Sequence, residues 1–282
     1  MRIANHAGRA AVVVGDSIVD LADASDGRFG PDLSSVYDQW ADLARFAPTI
    51  EVGTHLLDEG VLGKPVDPRQ VFAIGLNYRA HAAESGRPVP EIPATFTKFP
   101  ASLAGPHDDI VLSAGDVDWE VELVVVIGVR ADHVVEADGW AHVAGLAVGQ
   151  DISDRTVQMA AGAQFSLGKS YRGYGPIGPW VVTPDELPDP DDLALRCSVD
   201  GEVVQDGRTS DLVFSVPRLV AELSAVVPLL PGDVIFTGTP AGVGFTRQPA
   251  RFLAPGQVLE SWIEGIGTIR NRMTAPSATG TT

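Results

Sequence analysis

Cysteine is nearly absent. Cys197 stands alone among 282 residues, which rules out an internal disulfide framework and points to a reducing compartment. Positive charge is scarce: 20 Lys+Arg face 37 Asp+Glu, for a net charge of −17. Such a field repels phosphate backbones and anionic lipid surfaces, so no nucleic acid or membrane partner is expected. No apolar run reaches the ~18 residues of a membrane span. The opening MRIANHAGRAAVVVGD is broken by Asn5, His6, Gly8 and Arg9, unlike a signal peptide. A cytoplasmic protein is expected. Clusters of His or Cys are missing too, which argues against zinc. What is present is an ordinary globular composition, 45% hydrophobic and 20% charged, with enough chain for a sizeable core.

Short apolar runs at Ala10 to Val14 and Ser17 to Leu21 flank Gly15-Asp16 like a hairpin. Val36, Trp40, Leu43 and Phe46 predict one amphipathic helix from Ser34 to Phe46, followed by a Pro- and Gly-punctuated linker to about residue 70. Residues 1–70 are therefore expected to form a small β/α element and 71–274 the main domain, with 275–282 a frayed tail. The main domain is dominated by strand-like runs: Val71 to Ile74, Glu122 to Ile127, Trp180 to Val182, Leu193 to Val199, Val234 to Phe236 and Val258 to Ile263. Helices are expected from Ser153, as N-cap, to about Ala163, and from Val216 to Val227. Strands do not alternate regularly with helices, so the class is mainly β with some α rather than doubly wound.

The run DWEVELVVVIG, Asp118 to Gly128, poses the chemical question. Alternation puts Glu120, Glu122, Val124 and Val126 on one face and Trp119, Val121, Leu123, Val125 and Ile127 on the other. The glutamates either lie in solvent at the strand's start or approach a buried face, where they need a cation or several donors. Asp151, closing the small-residue segment AVGQD, is the best third oxygen ligand, although an ordinary turn or N-cap aspartate reads the same. An all-carboxylate set suits Mg²⁺ or Mn²⁺.

His81 and Glu84, three apart, share a face of a helical turn, so the carboxylate can orient the imidazole as a general base. A surface pair is the alternative. Gly168-Lys169-Ser170 fails as a phosphate loop because Ala163 stands where glycine is required and no helix-like stretch follows. Lys169 would still be held rigidly by its Gly-, Pro- and aromatic-rich turn, unless it is a solvated surface lysine. The glycines of TGTPAGVG, Thr237 to Gly244, do not follow a dinucleotide fingerprint. They mark either a close approach of backbone to ligand or a plain turn. Cys197 alternates with Leu195 and Val199 and reads as a core side chain.

Seven ordered motifs, GLNYRAHAAE, FTKFPASLAGP, DWEVELVVVIG, GQDISDRTVQ, LGKSYRGYGPIGPWVV, QDGRTSDLVFSV and GDVIFTGTPAGVG, together resemble the fumarylacetoacetate hydrolase family over about 71–270. The resemblance implies a mixed β-sandwich roll, usually homodimeric. It implies Mg²⁺ or Mn²⁺, with Ca²⁺ as a substitute in crystals, on the positions matching Glu120, Glu122 and Asp151. His81 and Glu84 match a dyad on a mobile lid, and Lys169 matches a catalytic lysine. Gln158 and Thr239 match substrate contacts, and Lys98 lies in a motif that helps line the pocket. The chain departs from the family where Phe99 separates Lys98 from Pro100 and where Trp119 replaces a frequent tyrosine.

These readings converge on a hydrolase that cleaves a carbon–carbon bond in a 2,4-dioxo acid, such as an acylpyruvate. The 2-oxo acid end would chelate the metal, which would stabilise the enolate, His81 would activate water, and Lys169 would stabilise negative charge. The family's site also supports oxaloacetate decarboxylation and isomerisation of unsaturated oxo acids. A non-catalytic metal- or ligand-binding domain is the rival of another class.

Overall fold

A computed structural model describes residues 1–160, 162 and 164–276. Strands outweigh helices, and two large sheets make the architecture, beside a two-stranded one that pairs Val117–Asp118 with Ser153–Asp154. The larger has 12 strands. Its spine runs from the hairpin Arg9–Val14/Ser17–Asp20 through Arg2–His6, Gly175–Val182, Val143–Gln150, Val121–Ile127, Val234–Phe236 and Val71–Gly75 to Ala94–Thr97. The smaller has five strands, among them Glu202–Arg208, Ala194–Val199, Val258–Ile263 and Gly267–Thr274. Most neighbours are antiparallel, but Val234–Phe236 runs parallel to Val71–Gly75. The chain therefore has the mixed-sheet roll that the sequence leads one to expect.

Alternation along Val121–Ile127 assigns its two faces. Val121, Leu123, Val125 and Ile127 join a core that also holds Leu195, Cys197, Leu259 and Ile269 of the smaller sheet. Val124 and Val126 face the other way, into a second core with Ile3, Val12, Tyr37 and Trp40 from the first 70 residues. A strand apolar on both faces is what a central strand covered on both sides requires. The first 70 residues also join the main sheet by backbone pairing, with Arg2 opposite Val182 and Ile3 opposite Val181.

Local differences from the expected elements have local causes. The helix expected over Ser34 to Phe46 is two, Leu33–Asp38 and Trp40–Phe46, interrupted at Gln39, whose φ of −108° and ψ of 23° leave the helical region. The Val216 helix ends at Ser224 rather than Val227; Pro228 disfavours helical conformation in the residue before it. Ser153 is not an N-cap. It lies in a short strand with Asp154, and the Asp154 carboxylate accepts from Val157 N at 3.0 Å to open the helix Arg155–Ala160. The expected end of that helix at Ala163, and the frayed tail from residue 277 onward, fall outside the described residues. The strand Gly175–Val182 extends well upstream of Trp180, through a Gly- and Pro-rich stretch that hides its β character.

Candidate active site

Strand register gathers the carboxylates. Val121 pairs with Gln150, so Glu120 and Asp151 lie just beyond the same end of two neighbouring strands, where Asp151 N donates to Glu120 O at 2.9 Å. Glu122 faces Gly149 on one side. On the other, Val124 pairs with Phe236, and Gly238 follows two residues later. Both glycines leave room that a side chain would fill. A Cβ at Gly149 would lie 2.4 Å from Val124 Cγ2, and one at Gly238, where φ is +100°, would lie 2.8 Å from Asn77 Cβ. All three carboxylates are buried, and each offers an oxygen within 4.8 Å of the others. The sequence left open whether Glu120 and Glu122 were solvated, and the fold buries both.

Three cations enter this cluster. Lys169 Nζ donates to Asp151 Oδ2 at 2.5 Å, Glu120 Oε2 at 2.7 Å and Ser153 Oγ at 2.9 Å. Lys98 Nζ donates to Asp151 Oδ1 at 2.6 Å and to the Lys169 carbonyl. Arg155 Nη2 bridges Glu120 Oε1 at 2.6 Å and Asp118 Oδ2 at 2.7 Å, while its Nη1 donates to Gln158 Oε1 at 2.9 Å. Glu122 receives only the Gly238 N–H, at 2.8 Å, and has no side-chain cation among the described residues.

This asymmetry separates the glutamates electrostatically. Burial opposes the charge of Glu120, but Lys169 and Arg155 outweigh it and draw the carboxyl down to about 2. Burial, then Asp151 and Glu120, push Glu122 well above the usual carboxylate range. Lys169 is raised despite its burial, because Asp151 and Glu120 flank it; Lys98 is lowered by burial. Asp118, Glu120, Glu122 and Asp151 thus face Lys98, Lys169 and Arg155 with one carboxylate unbalanced. An additional hard cation fits that excess and that all-oxygen donor set.

Above the cluster opens a cleft of about 230 Å³, lined by Glu120, Glu122, Lys169, His81, Gln158 and Thr239 among others. His81 and Glu84 arrive on the short helix Arg79–Glu84, with His81 Nδ1 3.1 Å from Glu84 Oε2. A proton on Nδ1 directed at the carboxylate leaves Nε2 as acceptor. Asn77 anchors the approach to this helix through Phe214 N, Phe214 O and Thr237 O. Leu76, before it, holds a left-handed φ of 55°, the kind of strained backbone that concentrates at functional sites. Thr239 Oγ1 donates to Val121 O and accepts from Gln205 Nε2, which fixes its position at the cleft. Lys98 is fully buried beneath Asp151 and does not line the cleft.

The glycine loop after Phe236 supplies backbone donors. Gly238, Gly242 and Gly244 direct their N–H groups at Glu122, Glu84 and Asp118 respectively. A Cβ at Gly244 would lie 1.9 Å from Arg251 O, and one at Gly242 would lie 2.2 Å from Val204 O. Asp118, Ser153 and Arg155 are members of the cluster that the sequence reading did not single out. The spacing of Arg155 and Gln158 on one helical face was the available signal for Arg155.

Residues 70–274 match the family described as fumarylacetoacetate (FAA) hydrolase C-terminal. The human mitochondrial oxaloacetate tautomerase FAHD2A is 46% identical over 73% of this chain and 67% of its own. A crystal structure from Mycobacterium smegmatis, provisionally assigned as HpcE, superposes with a TM-score of 0.94 at 50% identity, covering 98% of this chain and 100% of the other. Maleylpyruvate hydrolase from Sphingobium sp. SYK-6 superposes with a TM-score of 0.81 at 30% identity, covering 98% and 100%. With the family match spanning most of its length, this chain belongs to the fumarylacetoacetate hydrolase family.

Proposed function

We propose that this protein is a divalent-metal-dependent hydrolase that cleaves a carbon–carbon bond in a 2,4-dioxo acid of the acylpyruvate type. The observation that carries the reading is the unbalanced Glu122 carboxylate beside Glu120 and Asp151, in a cleft that also receives a His/Glu pair and a lysine. Glu120, Glu122 and Asp151 would hold Mg²⁺ or Mn²⁺. When bound, the ion supplies Lewis acidity toward the oxygens of the 2-oxo acid end.

The chain's own groups supply the rest. His81, with Nδ1 directed at Glu84, takes a proton from water at Nε2 and so prepares the attack on the distal carbonyl. Lys169 lines the cleft while its ammonium is fixed by three oxygens, so it presents positive charge without further reorganisation to the oxyanion that forms. Gln158 and Thr239 border the same space and orient the substrate, their side chains being held by Arg155 and Gln205. Lys98 contributes from beneath, by fixing Asp151 and the Lys169 backbone.

The relatives' names divide among hydrolase, isomerase and tautomerase. Decarboxylation of oxaloacetate and isomerisation of unsaturated oxo acids on the same residues are therefore the second reading. A panel of acylpyruvates, oxaloacetate and unsaturated dioic oxo acids, each assayed with and without Mg²⁺, separates the two. Turnover that survives a chelator sinks the metal-dependent reading, and turnover of oxaloacetate alone sinks the hydrolase. We place the enzyme in the cytoplasm as a homodimer; fractionation and sedimentation test those assignments.

A further inference from the structure

The cations around the cleft differ in how far they are already engaged. Lys169 has three oxygen partners, Arg155 is held by Asp118 and Glu120, and Lys98 does not border the cleft. Arg87 also lines the cleft. It is exposed, and its guanidinium has neither an ion-pair nor a hydrogen-bond partner among the described residues.

The root of Arg87 is nonetheless fixed. The helix bearing His81 and Glu84 ends with Gly86 at φ +64°, where Gly86 N donates to Ala83 O at 3.1 Å and Arg87 N to Ala82 O at 3.0 Å. These are the paired bonds of a Schellman cap, and Pro88 restricts the chain immediately afterwards. Arg87 is thereby attached to the same rigid turn as the His81/Glu84 pair. Among the other lining residues, Ile74, Leu76, Phe96 and Phe165 provide apolar surface. The cleft thus combines a polar floor, apolar wall and a cation without a partner.

We propose that Arg87 binds a second carboxylate on the substrate, so that the cleft selects dicarboxylic over monocarboxylic 2-oxo acids. The proposal rests on the reading that a 2-oxo acid docks over Glu120, Glu122 and Asp151. A guanidinium offers a carboxylate two parallel hydrogen bonds, and a chain of net charge −17 otherwise repels an approaching dianion. Because Arg87 shares its cap with the His81 helix, engagement of the distal carboxylate also holds the base over the substrate.

The test is calorimetric binding of two probes to the Mg²⁺-loaded protein: 2-oxoglutarate, and 2-oxopentanoate, which is the same chain ending in a methyl group. Wild type should bind 2-oxoglutarate more tightly. Arg87→Ala should weaken 2-oxoglutarate by about tenfold or more, the worth of a hydrogen-bonded charge, and leave 2-oxopentanoate within about twofold. Arg87→Lys, which keeps the charge and loses the fork, should fall between. Equal losses for both probes, or no loss for either, overturn the role of Arg87 while leaving the metal site intact. If wild type binds neither probe, or if Glu122→Ala binds both undiminished, the reading of the floor fails and the proposal falls with it.

Discussion

Glu120, Glu122 and Asp151 are set at the end of central strands of the larger sheet and buried, Glu120 and Asp151 tied to three cations and Glu122 to none among the described residues, whereas His81 and Glu84 ride on a six-residue helix at the open side of the cleft. The floor is over-determined: Lys169 alone joins residues 49 and 18 positions away in sequence. The Arg79–Glu84 helix is fastened at its two ends. Ala80 N donates to Asp211 Oδ2 at 3.0 Å, and Gly242 N donates to Glu84 Oε1 at 3.0 Å. On the proposed function, the floor couples chemistry to fold stability, and the helix at the open side separates them. Such a division suits a site that must keep charged groups preorganised and still admit substrate.

Glu122→Gln breaks the comparison most sharply. It removes the unbalanced charge and keeps the shape, so the metal-free protein should retain or gain thermal stability while turnover falls roughly thousandfold, the loss of several kcal/mol of charge stabilisation. Thermal melts and metal titrations check both halves. Lys169→Met does the opposite to the fold. It leaves Glu120 and Asp151 short of a buried partner and should cost about 3–5 kcal/mol in metal-free denaturant unfolding. If both variants lose stability alike, the charge imbalance assigned to Glu122 is wrong.

How much of this was legible depended on whether the information was local. Alternation alone put Glu120 and Glu122 on one face, and the small-residue run before Asp151 marked the right segment. The pairing of Val121 with Gln150 is a long-range register, and only that register brings Asp151 beside Glu120. Arg155 and Asp118 carried no local signal of burial, because it is created by a strand and a helix meeting, not by a pattern in either. The glycine loop showed its conformational freedom but not its acceptors, which are carboxylates contributed by segments more than 100 residues away. The chain-local elements, such as the Val234–Phe236 and Val258–Ile263 strands, appear where the composition put them.

On the Arg79–Glu84 helix, His81→Ala should lower turnover by about a hundredfold or more, as expected for loss of a general base. Unfolding free energy should fall by only about 1 kcal/mol, because His81, although buried, has one side-chain hydrogen bond and its helix lies outside the sheets. Single-turnover rates and urea melts of the same preparation measure the two quantities. A melt displaced as far as that of Lys169→Met would show that this helix is part of the structural floor after all.

The smallest effect is a pH-dependent one at Glu84. Burial raises its carboxyl, but the hydrogen bond with His81, the nearby Thr246 hydroxyl and the Gly242 N–H together bring it below the ordinary value of 4.5. A carboxylate depressed in the folded state contributes stability that is present above its unfolded value and is lost as pH falls through the folded one. Glu84→Gln should therefore be slightly less stable than wild type at neutral pH, by under about 1 kcal/mol given the group's solvent exposure. The gap should close as pH drops below 4.5. Paired melts from neutral to acid pH resolve it. A gap that widens in acid would mean that the carboxylate is held for some reason other than its bonds to His81 and Gly242, and would detach Glu84 from the base it is assigned to orient.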